Sequence, residues 1–235
     1  MENRVKKRLR YFSRTEWTLW MSSVALIAVS FAVFDRENYL TLCASLIGAT
    51  SLIFNAKGNP IGQALTIIFS ILYGIISYTF AYYGEMITYL GMTMPMAIFA
   101  LISWLRNPYK GNRAQVKVNS LKAKEILLML AAAALITLAF YFILEACGTA
   151  NMIPSTISVT TSFIAVYLTF RRSPLYALGY AANDIVLIVL WILATIEDMT
   201  YLSVVICFAM FLVNDIYGFV NWRKMRKKQT TDSAE

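Results

Sequence analysis

The chain alternates long apolar runs with short polar breaks. Eight runs stand out, near residues 17–35, 39–56, 61–83, 86–105, 125–146, 149–170, 174–196 and 199–222. Each is close to the ~20 residues that a helix needs to cross ~30 Å of hydrocarbon. The third and fourth almost fuse. Tyr82, Tyr83, Gly84 and Glu85 form the polar break between them, and Gly84 can take the positive φ of a tight turn. The second run is short and flanked by Asp35, Arg36 and Glu37, so expelling it would leave seven spans. The pattern predicts an all-α polytopic membrane protein with eight transmembrane helices.

Composition supports this: 59% of residues are hydrophobic and 14% charged, against roughly 45–50% and 25% in a soluble domain. Charge then decides the count, because Lys and Arg in short loops stay cytoplasmic. Eight spans with the N-terminus inside put 20 of the 21 basic residues on the inner side, Arg36 alone lying outside. The inner group runs from Arg4, Lys6, Lys7, Arg8, Arg10 and Arg14, through Lys57, the central loop (Arg106 to Lys124) and Arg171–Arg172, to Arg223–Lys228. Asp35, Glu37, Glu85, Glu145, Glu197 and Asp198 fall in the outer turns. Both termini are therefore expected in the cytoplasm, with the chain in the cell membrane.

The net charge of +8 flanks the spans and faces anionic headgroups, which argues against a nucleic-acid partner. No small-x-small cleavage site precedes Asp35, so the first span reads as an uncleaved anchor. Cys43, Cys147 and Cys207 lack paired spacing and read as small core residues. The chain has no histidine, hence neither the commonest metal ligand nor the usual proton shuttle. No metal site and no cofactor are expected.

The fifth span, with no polar group from Leu127 to Phe142 beyond Thr137, reads as a linker helix. The chain divides into residues 1–38 (basic segment and anchor helix), 39–105 (a first three-helix group), 106–146 (basic cytoplasmic loop and linker), 147–222 (a second three-helix group) and 223–235 (basic tail). The two groups echo each other. Pro60 and Pro174 open the middle helices, Thr88-Tyr89-Leu90 parallels Thr200-Tyr201-Leu202, and Trp104 and Trp222 close the last helices. Parallel repeats of this kind suggest a transporter with a site at the repeat interface.

Polar residues inside spans are the candidates for that site. Asp184 lies about ten residues into the seventh span beside Asn183; a carboxylate there costs roughly 2.5–3.5 kcal/mol on insertion scales and should face the bundle interior. In the eighth span Asn214, Tyr217 and Asn221 share one helical face, leaving Asp215 to point elsewhere, toward the inner boundary. Tyr180, Asn183, Asp184, Asn214 and Tyr217 combine flat aromatic faces with donors and acceptors, as a ring-plus-ribose or other heteroaromatic ligand requires. Trp191, Gln63 and Tyr73 are further candidates. The alternative reading is interhelical hydrogen bonding worth roughly 0.6 kcal/mol per contact.

These residues resemble the PnuC family of vitamin transporters, from about Tyr39 to Arg226. The strongest match is Asn214-Asp-Ile-Tyr-Gly-Phe-Val-Asn-Trp222, similar to that family's Asn-x-Tyr-Gly-Trp-x-x-Trp element. Lys57-Gly-Asn-Pro, Leu72-Tyr73-Gly74, Tyr82-Tyr83-Gly84-Glu85 and Pro95-Met96 also resemble its first half. The resemblance implies SWEET-like three-plus-one-plus-three parallel repeats with an extra N-terminal helix. It also implies facilitated import of nicotinamide riboside or a related nucleoside or vitamin, trapping by a cytoplasmic kinase, and a homotrimer. Ala177, Tyr180 and Asp184 fall on a family Trp-x-x-Trp-x-x-x-Asn/Asp pattern, Phe69 on a polar Asn and Ala97 on a Gln, so the pocket is rebuilt.

Two other classes fit the sequence less well. A binding subunit of an ATPase-driven vitamin importer would need a separate motor, since the chain has no P-loop. An intramembrane aspartyl enzyme would need Asp184 and Asp215 to meet, whereas Asp215 at the inner boundary would exclude it.

Overall fold

The computed structural model describes residues 11–79, 82–149 and 151–232. The N-terminal basic residues Arg4, Lys6, Lys7, Arg8 and Arg10 lie outside the described residues.

Helix α1 (Arg14–Phe34) opens with a reciprocal cap: the Glu16 amide donates to Ser13 Oγ at 3.2 Å, and the Ser13 amide to Glu16 Oε2 at 2.6 Å. Helix α2 (Tyr39–Ala56) ends at a turn whose Gly58 has φ +66°, and α3 (Pro60–Thr79) starts on Pro60, where a missing N–H costs nothing. Helix α4 (Tyr83–Arg106) widens into a π turn over Tyr89–Thr93, just before Pro95. Then come a two-stranded hairpin, β1 (Pro108–Tyr109) and β2 (Asn112–Val116), and helices α5 (Ala123–Ala146), α6 (Met152–Phe170), α7 (Tyr176–Glu197) and α8 (Leu202–Thr231). All eight helices are long and apolar enough to span a membrane. At 30 residues, α8 extends about 45 Å and carries its basic last turns beyond the hydrocarbon.

Within the bundle α2 packs on α3 and α3 on α4, while α6 packs on α7 and α7 on α8. The backbones of the two triplets come together most closely where α8 packs on α2 and α4 on α6. Helix α1 seats on α2 and α8, and α5 chiefly on α6, touching the start of α4 near Gly84 through Leu144. Helix α5 buries only Met129, Ala133 and Leu144 and leaves Leu127 70% exposed, as a lipid-facing helix does.

Three expectations change. The fourth span begins at Tyr83, so Glu85 is not an outer-turn residue; it is 1% exposed inside the first turn of α4. Cys43 and Cys147 are exposed, and only Cys207 belongs to the core. The central basic segment is more than a loop. Its hairpin closes the basic end of the bundle: Val116 donates to the Gly58 carbonyl at 2.9 Å and packs, fully buried, with Trp104, Trp222 and Met225. Gln229 of α8 holds the hairpin from below through Val118 N and Val116 O.

Candidate functional site

Polar residues on five helices converge between the triplets. On α7, Tyr176, Tyr180, Asn183, Asp184, Leu187 and Trp191 recur at helical spacing and face inward. On α8, Phe208, Phe211, Asp215, Gly218 and Trp222 recur at alternating steps of four and three and form the buried stripe. Gly48, Ser51, Leu52 and Asn55 of α2, Thr66 and Phe69 of α3, and Tyr89 and Thr93 of the π turn complete the wall. Together with Tyr180, Asn183, Asp184, Phe208, Phe211 and Asp215 they line an internal cavity of about 40 Å³. That is far below the roughly 300–1,000 Å³ of small-molecule sites, so the two triplets must part to admit a substrate.

The cavity is shut at both ends. Toward the acidic end, Trp191 Nε1 donates to the Tyr73 hydroxyl at 2.8 Å, joining α7 to α3. The Tyr73 and Tyr89 rings lie 4.4 Å apart, and Tyr82 stacks edge-on to Trp191 at 5.0 Å. Toward the basic end, Asn55 donates to Thr66 Oγ1 at 3.2 Å and accepts from Gln63 Nε2 at 2.8 Å. Beneath that layer, Trp222 Nε1 donates to the Asn55 carbonyl at 2.8 Å.

Asn183 is oriented by three hydroxyls of α6: Ser158, Thr161 and Ser162 all donate to its Oδ1, at 3.5, 2.8 and 2.9 Å. Only its amide N–H groups remain to serve the cavity. The Asp184 and Asp215 carboxyls lie within hydrogen-bond reach of each other. No donor group reaches Asp184 Oδ2, and among the described residues the cavity wall holds no Lys or Arg. Aromatic faces, an amide and two carboxyls without a counter-charge together suit a flat heterocycle with hydroxyl groups and a positive centre.

The sequence-based candidates divide accordingly. Tyr180, Asn183 and Asp184 line the cavity; Tyr73 and Trp191 form its acidic-end closure, and Gln63 braces its basic end. Asn214 and Tyr217 turn away. Asn214 Nδ2 donates to Ser23 Oγ at 2.9 Å and Tyr217 donates to Glu16 Oε1 at 3.1 Å, so their face seats α1. Glu16 also pairs with Lys57 at 3.0 Å, which fastens α1 to the α2–α3 turn. Asp215 is not at the inner boundary; it is 3% exposed in the cavity. Sequence reasoning missed it, although the spacing of Phe208, Phe211, Asp215 and Trp222 carried the signal.

A sequence profile of the nicotinamide mononucleotide transporter family matches residues 38–224. The chain belongs to that family. It is 28% identical over 223 residues to the nicotinamide riboside transporter PnuC of Neisseria mucosa, covering 91% of this chain and 84% of that one. It is 21% identical over 214 residues to PnuC of Haemophilus influenzae, covering 89% and 90% respectively. The crystal structure of the vitamin B3 transporter PnuC superposes with a TM-score of 0.81 at 27% identity, over 93% of this chain and 94% of that chain. The protein is thus a multi-pass membrane transporter for a small vitamin-type molecule, not an enzyme. The family assignment, rather than the placement of Asp184 and Asp215, sets the intramembrane protease reading aside.

Proposed function

We propose that this member of the family carries nicotinamide riboside, or a closely related vitamin or nucleoside, through the cavity between α2–α4 and α6–α8 without ATP. The observation that carries this reading is the convergence of Tyr180, Asn183, Asp184 and Asp215 with Phe69 and Tyr89 in one closed space. The aromatic rings would stack the pyridine ring, Asn183 would bond a ribose hydroxyl, and the carboxyls would balance the ring's positive charge. The names of the two curated relatives support the same substrate.

The two triplets act as SWEET-like parallel repeats that rock about the cavity, with α1 as an added anchor and α5 as linker. The basic end faces the cytoplasm, as the retention of Lys and Arg loops requires, so both termini lie inside. Three copies assemble in the membrane, and a cytoplasmic kinase removes the product by phosphorylation, so that net flow runs inward.

The test is uptake of radiolabelled nicotinamide riboside, thiamine and riboflavin by proteoliposomes lacking ATP. Saturable uptake of nicotinamide riboside that Asp184→Ala reduces at least tenfold is expected. A requirement for an added ATPase would contradict the proposal.

A further inference from the structure

The outer face of α8 changes character along one line. Val213, Ile216, Val220, Arg223 and Lys227 follow one another at alternating steps of three and four, so their side chains form a single stripe down the helix. The stripe faces away from the bundle. Val213, Ile216 and Val220 are 46%, 53% and 44% exposed and Arg223 and Lys227 are exposed below them, whereas Phe211, Asp215, Gly218, Trp222 and Met225 are buried on the opposite side. The apolar part of the stripe lies against lipid chains, and depth decides what the charged part meets. A helix needs about 20 residues to cross the hydrocarbon, so the span that starts at Leu202 runs out near Asn221. At about 1.5 Å per residue, Arg223 stands about 3 Å beyond that edge and Lys227 about 9 Å, which is the layer that phospholipid headgroups fill.

Positive charge at this level is concentrated and unanswered. Arg223, Lys224, Arg226 and Lys227 flank an open groove, and none of the four is in an ion pair among the described residues. The Arg223 guanidinium carbon lies 5.6 Å from the centre of the Phe219 ring, a cation–π contact that steadies the side chain. The segment is also fixed from behind, where Trp222 donates to the Asn55 carbonyl and Gln229 holds the hairpin. A second copy of the chain would not answer the charge. At this end of the bundle Glu16 is paired with Lys57, Glu125 with Arg171 and Asp232 with Lys110, so no described carboxyl is free to face Arg223 and Lys227. We infer that the stripe is a binding site for an anionic phospholipid, with the phosphate between Arg223 and Lys227 and an acyl chain along Val220, Ile216 and Val213. The guanidinium fork and the ammonium one turn below it both donate to the phosphate oxygens, and the negative headgroup balances the local excess of cations. A zwitterionic lipid brings its own ammonium, which the same cations repel.

The test is a fluorescent bimane label on Val220→Cys, in a background where Cys43, Cys147 and Cys207 are replaced by Ala. The labelled protein is reconstituted in phosphatidylcholine vesicles with rising fractions of nitroxide-labelled phosphatidylglycerol or nitroxide-labelled phosphatidylcholine. Phosphatidylglycerol should reach half-quenching at roughly one-fifth of the fraction that phosphatidylcholine needs, or less. The preference should vanish in R223Q/K227Q, and excess inorganic phosphate should leave it unchanged. A label on Ile196→Cys, 79% exposed at the acidic end, should be quenched equally by both lipids. Equal quenching at Val220, a preference that survives R223Q/K227Q, or one as large at Ile196 would overturn the site. Displacement by inorganic phosphate would show a free-anion site instead, and shielding from both lipids would show a face covered by a second copy; either result overturns the lipid assignment. If the labelled variants fail to fold, the melting temperature of the unaltered chain in neutral detergent decides. Phosphatidylglycerol should raise it more than phosphatidylcholine does, and an equal rise would overturn the inference.

Discussion

Trp104 and Trp222 meet at the basic end of the bundle with ring centroids 5.3 Å apart, and each donates its indole N–H to the first helix of the other triplet. Trp104 reaches the Thr169 carbonyl at 2.9 Å and Trp222 the Asn55 carbonyl at 2.8 Å. The residues just before them repeat the exchange: Ser103 donates to Phe170 O at 3.0 Å and Asn221 to Ala56 O at 2.8 Å. The last carbonyls of a helix have no partner within it, so the crossed donors both cap α2 and α6 and clamp the basic end shut.

Each clamp has a measurable energy. Trp222→Phe removes the indole donor from the Asn55 carbonyl, which keeps the Gly58 amide at 2.9 Å, at a cost of about 0.5–1.5 kcal/mol. Trp104→Phe does the same to Thr169. Because the rings touch, the double variant should depart from additivity by roughly 0.5–3 kcal/mol in a thermal-unfolding cycle. Strict additivity would mean that the two clamps act independently.

Asn183 is the acceptor for three hydroxyls at once. Asn183→Leu takes the acceptor from Ser162, while Thr161 keeps the Ile157 and Ser158 carbonyls at 3.0 and 3.1 Å, and should destabilise the protein by about 1–3 kcal/mol, whereas Ser162→Ala removes one donor of three and should cost about 0.5–1.5 kcal/mol. Equal melting temperatures for the two variants would show that the hydroxyls find other partners.

Gly48 is a packing requirement of the cavity wall. A Cβ there would come within 3.0 Å of Phe211 and 3.1 Å of Phe69. Both rings line the cavity, so Gly48→Ala should push them into it, cutting uptake at least tenfold at an overpacking cost of about 1–3 kcal/mol. Undiminished uptake in folded Gly48→Ala would argue for an empty wall rather than a substrate contact.

The contact between hairpin and tail responds to acid. The Tyr109 hydroxyl donates to Asp232 at 2.7 Å and Lys110 pairs with it at 3.3 Å, which together hold the Asp232 carboxyl below its ordinary range. A lowered carboxyl contributes fully above the unfolded value of about 3.9 and fades as pH falls through the folded value beneath it. Spin labels at Arg113 and Thr231 should thus report a fixed distance at pH 7 that broadens only once the pH falls below the ordinary carboxylate range, and Asp232→Asn should show the broad distribution at both.

Much of the fold was legible in the sequence because a membrane span leaves a strong signature. Run lengths located all eight helices, the fourth within three residues. The hairpin at Pro108–Val116 was not legible, since two short polar strands lack periodicity and owe their shape to Gly58, Trp222 and Gln229 from distant helices. The site was half legible. Tyr180, Asn183 and Asp184 stood out as expensive polar groups in an apolar helix. In α8, however, the amide-rich face of Asn214 and Tyr217 looked like the binding face, when its partners were Ser23 and Glu16 of α1. The neighbouring Asp215 faced the cavity, and only its step from Phe211 and Trp222 could have revealed it. Glu85 looked like a turn residue because Gly84 precedes it, yet Gly84 lies inside the helix.

The central claim is that substrate occupies the space between Ser51, Tyr180 and Asp184. It is tested most directly by a single thiol in that wall: Ser51→Cys in a background where Cys43, Cys147 and Cys207 are replaced by Ala, reacted with a small methanethiosulfonate reagent. Saturating nicotinamide riboside is predicted to slow modification at least tenfold, and a modification rate unchanged by nicotinamide riboside that the same protein demonstrably takes up would contradict the account.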